Sequence, residues 1–172
     1  MREQRPILDG TSELGVEWRT AWKRADPVIE ADAKALWRRL SLLPGGVDAD
    51  QRADELVSAA YVDGALVAVS TAFVREIEFL RARFAMFRCV TAPEFRGHSV
   101  ARKIAGHSRE ALEQWSYDHP QLEVMGMATV VQNDDIKAKP RGAIWRTSGL
   151  TLVGYTDTGE QIRVAWFEHA RL

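Results

Sequence analysis

A mixed α/β fold, built on a mainly antiparallel central sheet with one parallel strand pair, is the class this sequence predicts. Three observations predict it. Two β-rich runs, 56–62 and 65–74, are separated only by Asp63-Gly64, a pair suited to a two-residue turn with positive φ, which makes them antiparallel neighbours. A second such pair, 150–155 and 161–168, brackets Asp157-Thr158-Gly159. Between these hairpins, strands over 84–91 and 122–131 are joined by a helical pattern, and a crossover of that kind makes them parallel.

Taken in order, residues 15–22 set Val16, Trp18 and Trp22 on alternate positions, as a half-buried first strand does. Asp26-Pro27 reads as an N-cap followed by proline at the first helical position. Ile29, Ala33, Leu36, Trp37 and Leu40 then mark one face of a helix ending before Pro44-Gly45-Gly46. A second helix starts at Asp48, with Gln51 in the capping-box position. The first hairpin follows, and charges from Glu76 to Arg83 interrupt the pattern before the strand at 84–91. Val100, Ile104, His107, Ala111, Leu112 and Trp115 fall near one face of a helix that stops before Asp118-His119-Pro120. After the strand at 122–131, residues 141–148 read as a short helix stopped by Gly149, and the last hairpin closes the chain. Trp18, Trp22, Trp37 and Trp115, four of six tryptophans, sit on periodic apolar faces and read as core rather than as a partner surface.

No repeat or linker interrupts the 172 residues, so one domain is expected over 1–172. A chain of this length buries about 70% of the surface its unfolded form exposes. Basic and acidic residues number 23 and 24, for a net charge of −1, and no long basic run occurs. The charge footprint of a nucleic-acid or membrane-surface binder is therefore missing, and any anion is recognised locally. Cys89 is the only cysteine, and His98, His107, His119 and His169 have no metal-ligand spacing, so no metal is expected. The first residues carry no apolar leader segment and no run of eighteen apolar residues occurs, which makes a cytoplasmic location the expectation.

The stretch PEFRGHSVARKI, 93–104, turns from the end of a strand into the start of a helix. The first amides of a helix have no intrahelical partners, and with the positive end of the macrodipole they attract phosphate. Arg96, Gly97, His98, Ser99, Val100 and Ala101 would supply those amides, with Gly97 letting the backbone approach closely. An ordinary tight turn can also carry Arg-Gly, so the flanking sequence has to decide.

VTAPEFRGHSVARKI resembles motif A of the GCN5-related N-acetyltransferase (GNAT) superfamily, Gln/Arg-x-x-Gly-x-Gly/Ala after a strand. Arg96 fills the first position and Ala101 the last, while Ser99 stands where the middle glycine is usual. A positive φ at that position costs a serine roughly 1 kcal/mol. The order of elements from 14 to 170 is similar to the superfamily's, and AIWRTSGLTLVGYTDTGEQIRV is similar to its helix-Gly-aromatic-strand ending, fitted by Ile144, Gly149 and Leu150. Trp145 occupies the place where many members have the tyrosine credited with protonating the departing thiolate. An indole N–H cannot do that near neutrality, so Trp145 is a pocket wall or core.

The resemblance implies helices on both faces of the sheet, a parallel pair splayed at the cofactor site, and acetyl-CoA as co-substrate with no metal. Coenzyme A would be held by Cys89, Val90 and Thr91 through their backbone, by Arg96 to Arg102 in the cradle, and by Asn133 after the second parallel strand. The Val90 amide would face the reacting carbonyl oxygen. Acetyl transfer to an amine also needs the donor held in line and a destination for the proton. Candidate bases are Glu78 and Glu76 before the first parallel strand and Asp134 or Asp135 after the second, with Tyr155 as a reserve proton donor; each also reads as an ordinary solvated or packed side chain. Cys89 reads as a small buried hydrophobe rather than an acetylated nucleophile, there being no evident His-Asp pair to activate it. The expected activity is direct N-acetylation of a primary amine. A non-catalytic acyl-CoA sensor or interaction module is the alternative that Ser99 and Trp145 support. The expected partners are a small-molecule or peptide amine acceptor and, in a homodimer, a second copy of the chain, without nucleic acid or membrane.

Overall fold

The computed structural model describes residues 15–132 and 142–171. Its eight strands, β1 (Val16–Thr20), β2 (Leu56–Val62), β3 (Ala65–Ile77), β4 (Ala82–Thr91), β5 (Val124–Val131), β6 (Ile144–Trp145), β7 (Leu150–Tyr155) and β8 (Gln161–Trp166), form one sheet in the order β1-β2-β3-β4-β5-β8-β7-β6. Every neighbouring pair is antiparallel except β4 and β5. Helices α1 (Pro27–Arg39) and α2 (Ala49–Ala53) cover one face, and α3 (Val100–Asp118) covers the other. No described helix is long and apolar enough to cross a membrane.

Local chemistry explains the elements that position the site. The Asp26 carboxylate accepts from the amides of Val28 and Ile29, both at 3.1 Å, and Pro27 opens α1. That helix then buries Ile29, Ala33, Leu36 and Trp37 against β2 and β3, each large side chain contributing about 1.5–3 kcal/mol by leaving water. Asp48 caps α2 through the Asp50 amide at 2.8 Å, in place of the reciprocal bond with Gln51 that the sequence suggests. Asp63 and Gly64 take φ of 49° and 76°, the two positive values a tight hairpin needs.

β3 continues to Ile77, past the expected end, and reaches β4 through a 3-10 turn over 78–80 that closes on Arg81 at φ 52°. Ile77, Ala82, Phe84, Ala128 and Val164 pack together there, so apolar contact on one face overrides the charged look of the segment. On the α3 face, Ala85, Phe87, Met127, Leu112 and Phe167 form the main core, and α3 turns Val100, Ile104, Ala105, Ser108 and Leu112 inward. Trp22 and Trp37 are buried as expected, whereas His107 is exposed and stacks on the half-buried Trp18 with 4.4 Å between ring centroids.

One expected element is corrected. The short helix over 141–148 is absent from its described part. Ile144 pairs with Thr151 and Trp145 with Leu150, so this stretch is a short strand and Gly149, at φ 73°, closes a hairpin turn rather than a helix. Cross-strand pairing decides a short apolar run that periodicity alone cannot assign.

Candidate acyl-donor site

The geometry begins with β4, whose two edges differ. Toward β3 it keeps one register over ten consecutive pairs, from Ala68↔Thr91 to Ile77↔Ala82, without a bulge. Toward β5 it is paired only from Arg83↔Val124 to Met86↔Ala128. Both strands run on, β4 to Thr91 and β5 to Val131, so they part at their carboxyl ends. β5 remains paired to β8 on its far side, Thr129 with Arg163 and Val131 with Gln161.

Strand parity then tells which backbone groups face the gap. The Ala92 amide donates to the Val67 carbonyl at 2.8 Å, and an antiparallel ladder alternates, so the amides of Val90, Arg88 and Met86 also turn toward β3. Those of Thr91, Cys89 and Phe87 turn toward β5. The Val90 amide, expected to face the reacting carbonyl, is thereby directed into the β3 ladder; the gap is faced by Cys89 and Phe87.

Past Thr91 the chain makes a 3-10 turn over 93–95 and enters α3 through Arg96 to Ser99. Gly97 takes φ 90° and Ser99 φ 60°, so the loop keeps its left-handed residue even where serine replaces glycine. Ser99 is the N-cap of α3, yet its side chain caps nothing; Oγ instead accepts from the Arg102 guanidinium at 2.5 Å. The first helical bond runs from the Lys103 amide to the Ser99 carbonyl at 2.9 Å. Among the described residues, no hydrogen bond takes up the amides of Gly97, Ser99, Val100, Ala101 or Arg102. A Cβ built on Gly97 would meet nothing within 4 Å, so open space lies over the backbone there. Thr91 is buried, and its hydroxyl has no partner among the described residues. Unpartnered amides, a helix dipole and a bare glycine together suit a pyrophosphate. Arg96, His98 and Arg102 lie exposed around them. Arg39 on α1 donates to Glu94 at 2.7 Å, an exposed pair that joins α1 to the turn before α3.

The remaining candidates distribute as follows. Cys89 is open to solvent on one side, but the protein walling its other sides desolvates the thiol and pushes it up to about 11. Glu76 is exposed opposite Arg83, on the face that carries Val74 toward α3, and Glu78 is exposed in the turn beyond Ile77. Both stand at the amino end of β4, at least three residues before the strands part. Trp145 is half-buried against the core, with the Arg163 guanidinium 4.3 Å from its ring centroid, as suits a wall. Tyr155 ends β7 with 60% of its surface exposed. Asn133, Asp134 and Asp135 lie outside the described residues. A separate hollow of about 410 Å³, lined by Trp22, Lys23, His107 and Trp115 among others, lies at the β1 side of the sheet, away from the splay.

One pair escaped the sequence reading. Arg88, two residues past the last β4–β5 pair, forms an ion pair with Glu55 at the start of β2 and lies over the Phe73 ring, 5.0 Å from its centroid. Nothing in the local sequence links positions 33 residues apart.

No protein-family model and no curated protein sequence matches the chain. Solved structures do. A GNAT-family acetyltransferase from Streptococcus pneumoniae is similar at 12% identity and a TM-score of 0.54, over 88% of this chain and 99% of that one. A putative acetyltransferase from Salmonella typhimurium, solved with acetyl-CoA, is similar at 14% identity and 0.53, over 91% and 96%. A GNAT phosphinothricin acetyltransferase from Sinorhizobium meliloti, also with acetyl-CoA, is similar at 15% and 0.55, over 90% of each chain. The chain thus has the GNAT fold.

Proposed function

We propose that this GNAT-fold chain is an acetyl-CoA-dependent N-acetyltransferase that passes the acetyl group directly to a primary amine. The observation that carries the reading is the uncapped start of α3, with five unpartnered amides between Gly97 and Arg102, following the strand that parts from β5. The cradle from Arg96 to Arg102 holds the diphosphate of coenzyme A, and the free edge of β4 aligns its amide-bearing arm. Solved neighbours that hold acetyl-CoA support the same assignment.

In the transfer, the amine lone pair forms the new C–N bond and the C–S bond of the thioester breaks, leaving the coenzyme A thiolate. The amide of Phe87 or Cys89 donates to the carbonyl oxygen as charge develops on it, in place of the Val90 amide. The proton lost by the amine leaves through a chain of waters toward Glu78 in the turn before β4, Glu76 being turned to the α3 face. A thiol pushed up to about 11 is protonated at neutral pH, so Cys89 serves through its backbone.

The sensor reading is kept by Trp145 alone, since Ser99 already adopts the left-handed conformation in which a glycine would sit. Calorimetry with acetyl-CoA followed by an amine panel tests both. Binding with turnover is expected; binding without turnover across the panel makes the chain a sensor, and no binding overturns the reading. Glu78→Gln should lower turnover about a hundredfold or more and remove the acidic limb of the pH profile. Unchanged turnover would exclude Glu78.

A further inference from the structure

Acceptor choice rests on the acetyltransferase reading, and the face of β4 that carries α1 and α2 bears on it. Side chains of Arg88, Met86 and Phe84 project to this face, across from Thr71, Phe73 and Arg75 of β3. Arg88 follows the point where β4 leaves β5, between the two residues whose amides face the gap. Its side chain is 44% exposed, so it is accessible to a small molecule.

Glu55 and Arg52 are its charged neighbours on this face. Glu55 pairs with Arg88. Arg52, at the end of α2, donates to the Leu42 carbonyl at 2.8 Å and lies over the Trp37 ring, and its Nε is buried without a partner among the described residues. Burial first, and then the charge of Arg88, lowers Arg52 from the ordinary arginine range, while Glu55 acts the other way. Two cations thus share one carboxylate. Elsewhere on this layer Lys34 pairs with Asp50 and Arg39 with Glu94. Arg75, on the same face of β3, adds positive potential.

We propose that Arg88, backed by Arg52, is the residue that determines acceptor specificity, selecting an amine whose molecule also carries a carboxylate, such as a free amino acid. Glu55 holds the Arg88 fork over Phe73 and leaves its remaining N–H groups to a second carboxylate, which a planar guanidinium accepts readily. A carboxylate bound there supplies the missing negative charge, and its amine reaches toward the gap between Phe87 and Cys89.

The test compares free amino acids with the corresponding amino-acid carboxamides, which keep the amine and lose the charge. With the wild-type protein, kcat/KM is expected to favour the acids about ten- to hundredfold, the scale of hydrogen bonds to charged groups. Arg88→Gln should abolish that preference by raising KM for the acids alone, and Arg88→Lys should restore part of it. Acetyl-CoA affinity by calorimetry should be the same in all three proteins, which also reports that each is folded. Carboxamides used as well as acids, or acetyl-CoA binding with neither member of any pair acetylated, overturns the inference while the donor site stands. Failure of the wild-type protein to bind acetyl-CoA overturns the parent reading instead.

Discussion

α1 and α3 begin in opposite ways. Asp26 satisfies two amides of α1 and Pro27 removes a third, so nothing at that end is left to bind. α3 begins at Ser99, whose hydroxyl turns to Arg102 while five amides stay unpartnered among the described residues. A serine at the N-cap is an ordinary capping residue. Its left-handed φ of 60° prevents the usual geometry, which places the side chain over the following amides only from an extended backbone. The difference teaches that residue type alone does not decide whether a helix start is capped; backbone conformation at the cap does.

Substitutions can break or sharpen this contrast. The largest effect is expected from Gly97→Val. A β-branched residue at φ 90° is strained, and its side chain fills the space over the cradle, so acetyl-CoA affinity should fall at least about tenfold by calorimetry. Unchanged affinity in a folded Gly97→Val protein would remove the cradle. Asp26→Ala should cost about 1 kcal/mol of stability in denaturant unfolding while acetyl-CoA affinity stays the same, because that cap serves the fold. Ser99→Gly should stabilise by somewhat less, roughly 0.5–1 kcal/mol, through relief of the left-handed serine. A loss of stability there would mean that the bond to Arg102 outweighs the strain. The smallest effect is expected at Cys89. With its thiol pushed up to about 11, alkylation should accelerate only above about pH 10, and Cys89→Ala should retain most turnover. Acetylated Cys89 in mass spectra together with lost turnover would replace direct transfer by a covalent route.

The parts of this molecule readable from sequence are those set by neighbours along the chain. Asp63-Gly64 specifies its hairpin because two adjacent residues must take positive φ, and Asp26-Pro27 specifies a helix start because cap and proline act within one turn. The strand, loop and helix from 84 to 118 are legible for the same reason, and the proposed cradle lies in that loop at Gly97 and Ser99. What could not be read depends on pairing at a distance. β6 exists because Ile144 and Trp145 find Thr151 and Leu150. The direction of the Val90 amide follows from its register with Val69, which an added or deleted residue in either strand would reverse. Arg88 and Glu55 meet only once β2, β3 and β4 lie side by side.

The parting of β4 from β5 has a further consequence, for solubility. Sheets expose unpaired backbone at their outer strands, and β1 and β6 are the outer strands here. Beyond Met86, however, β4 has no strand partner on its β5 side among the described residues, so the middle of the sheet contains a short edge of its own. Such an edge is a template for any extended chain that reaches it, another copy of the protein included. A ligand lying along Phe87 to Thr91 would cover that template, and the protein should then remain dispersed at concentrations where the empty form self-associates.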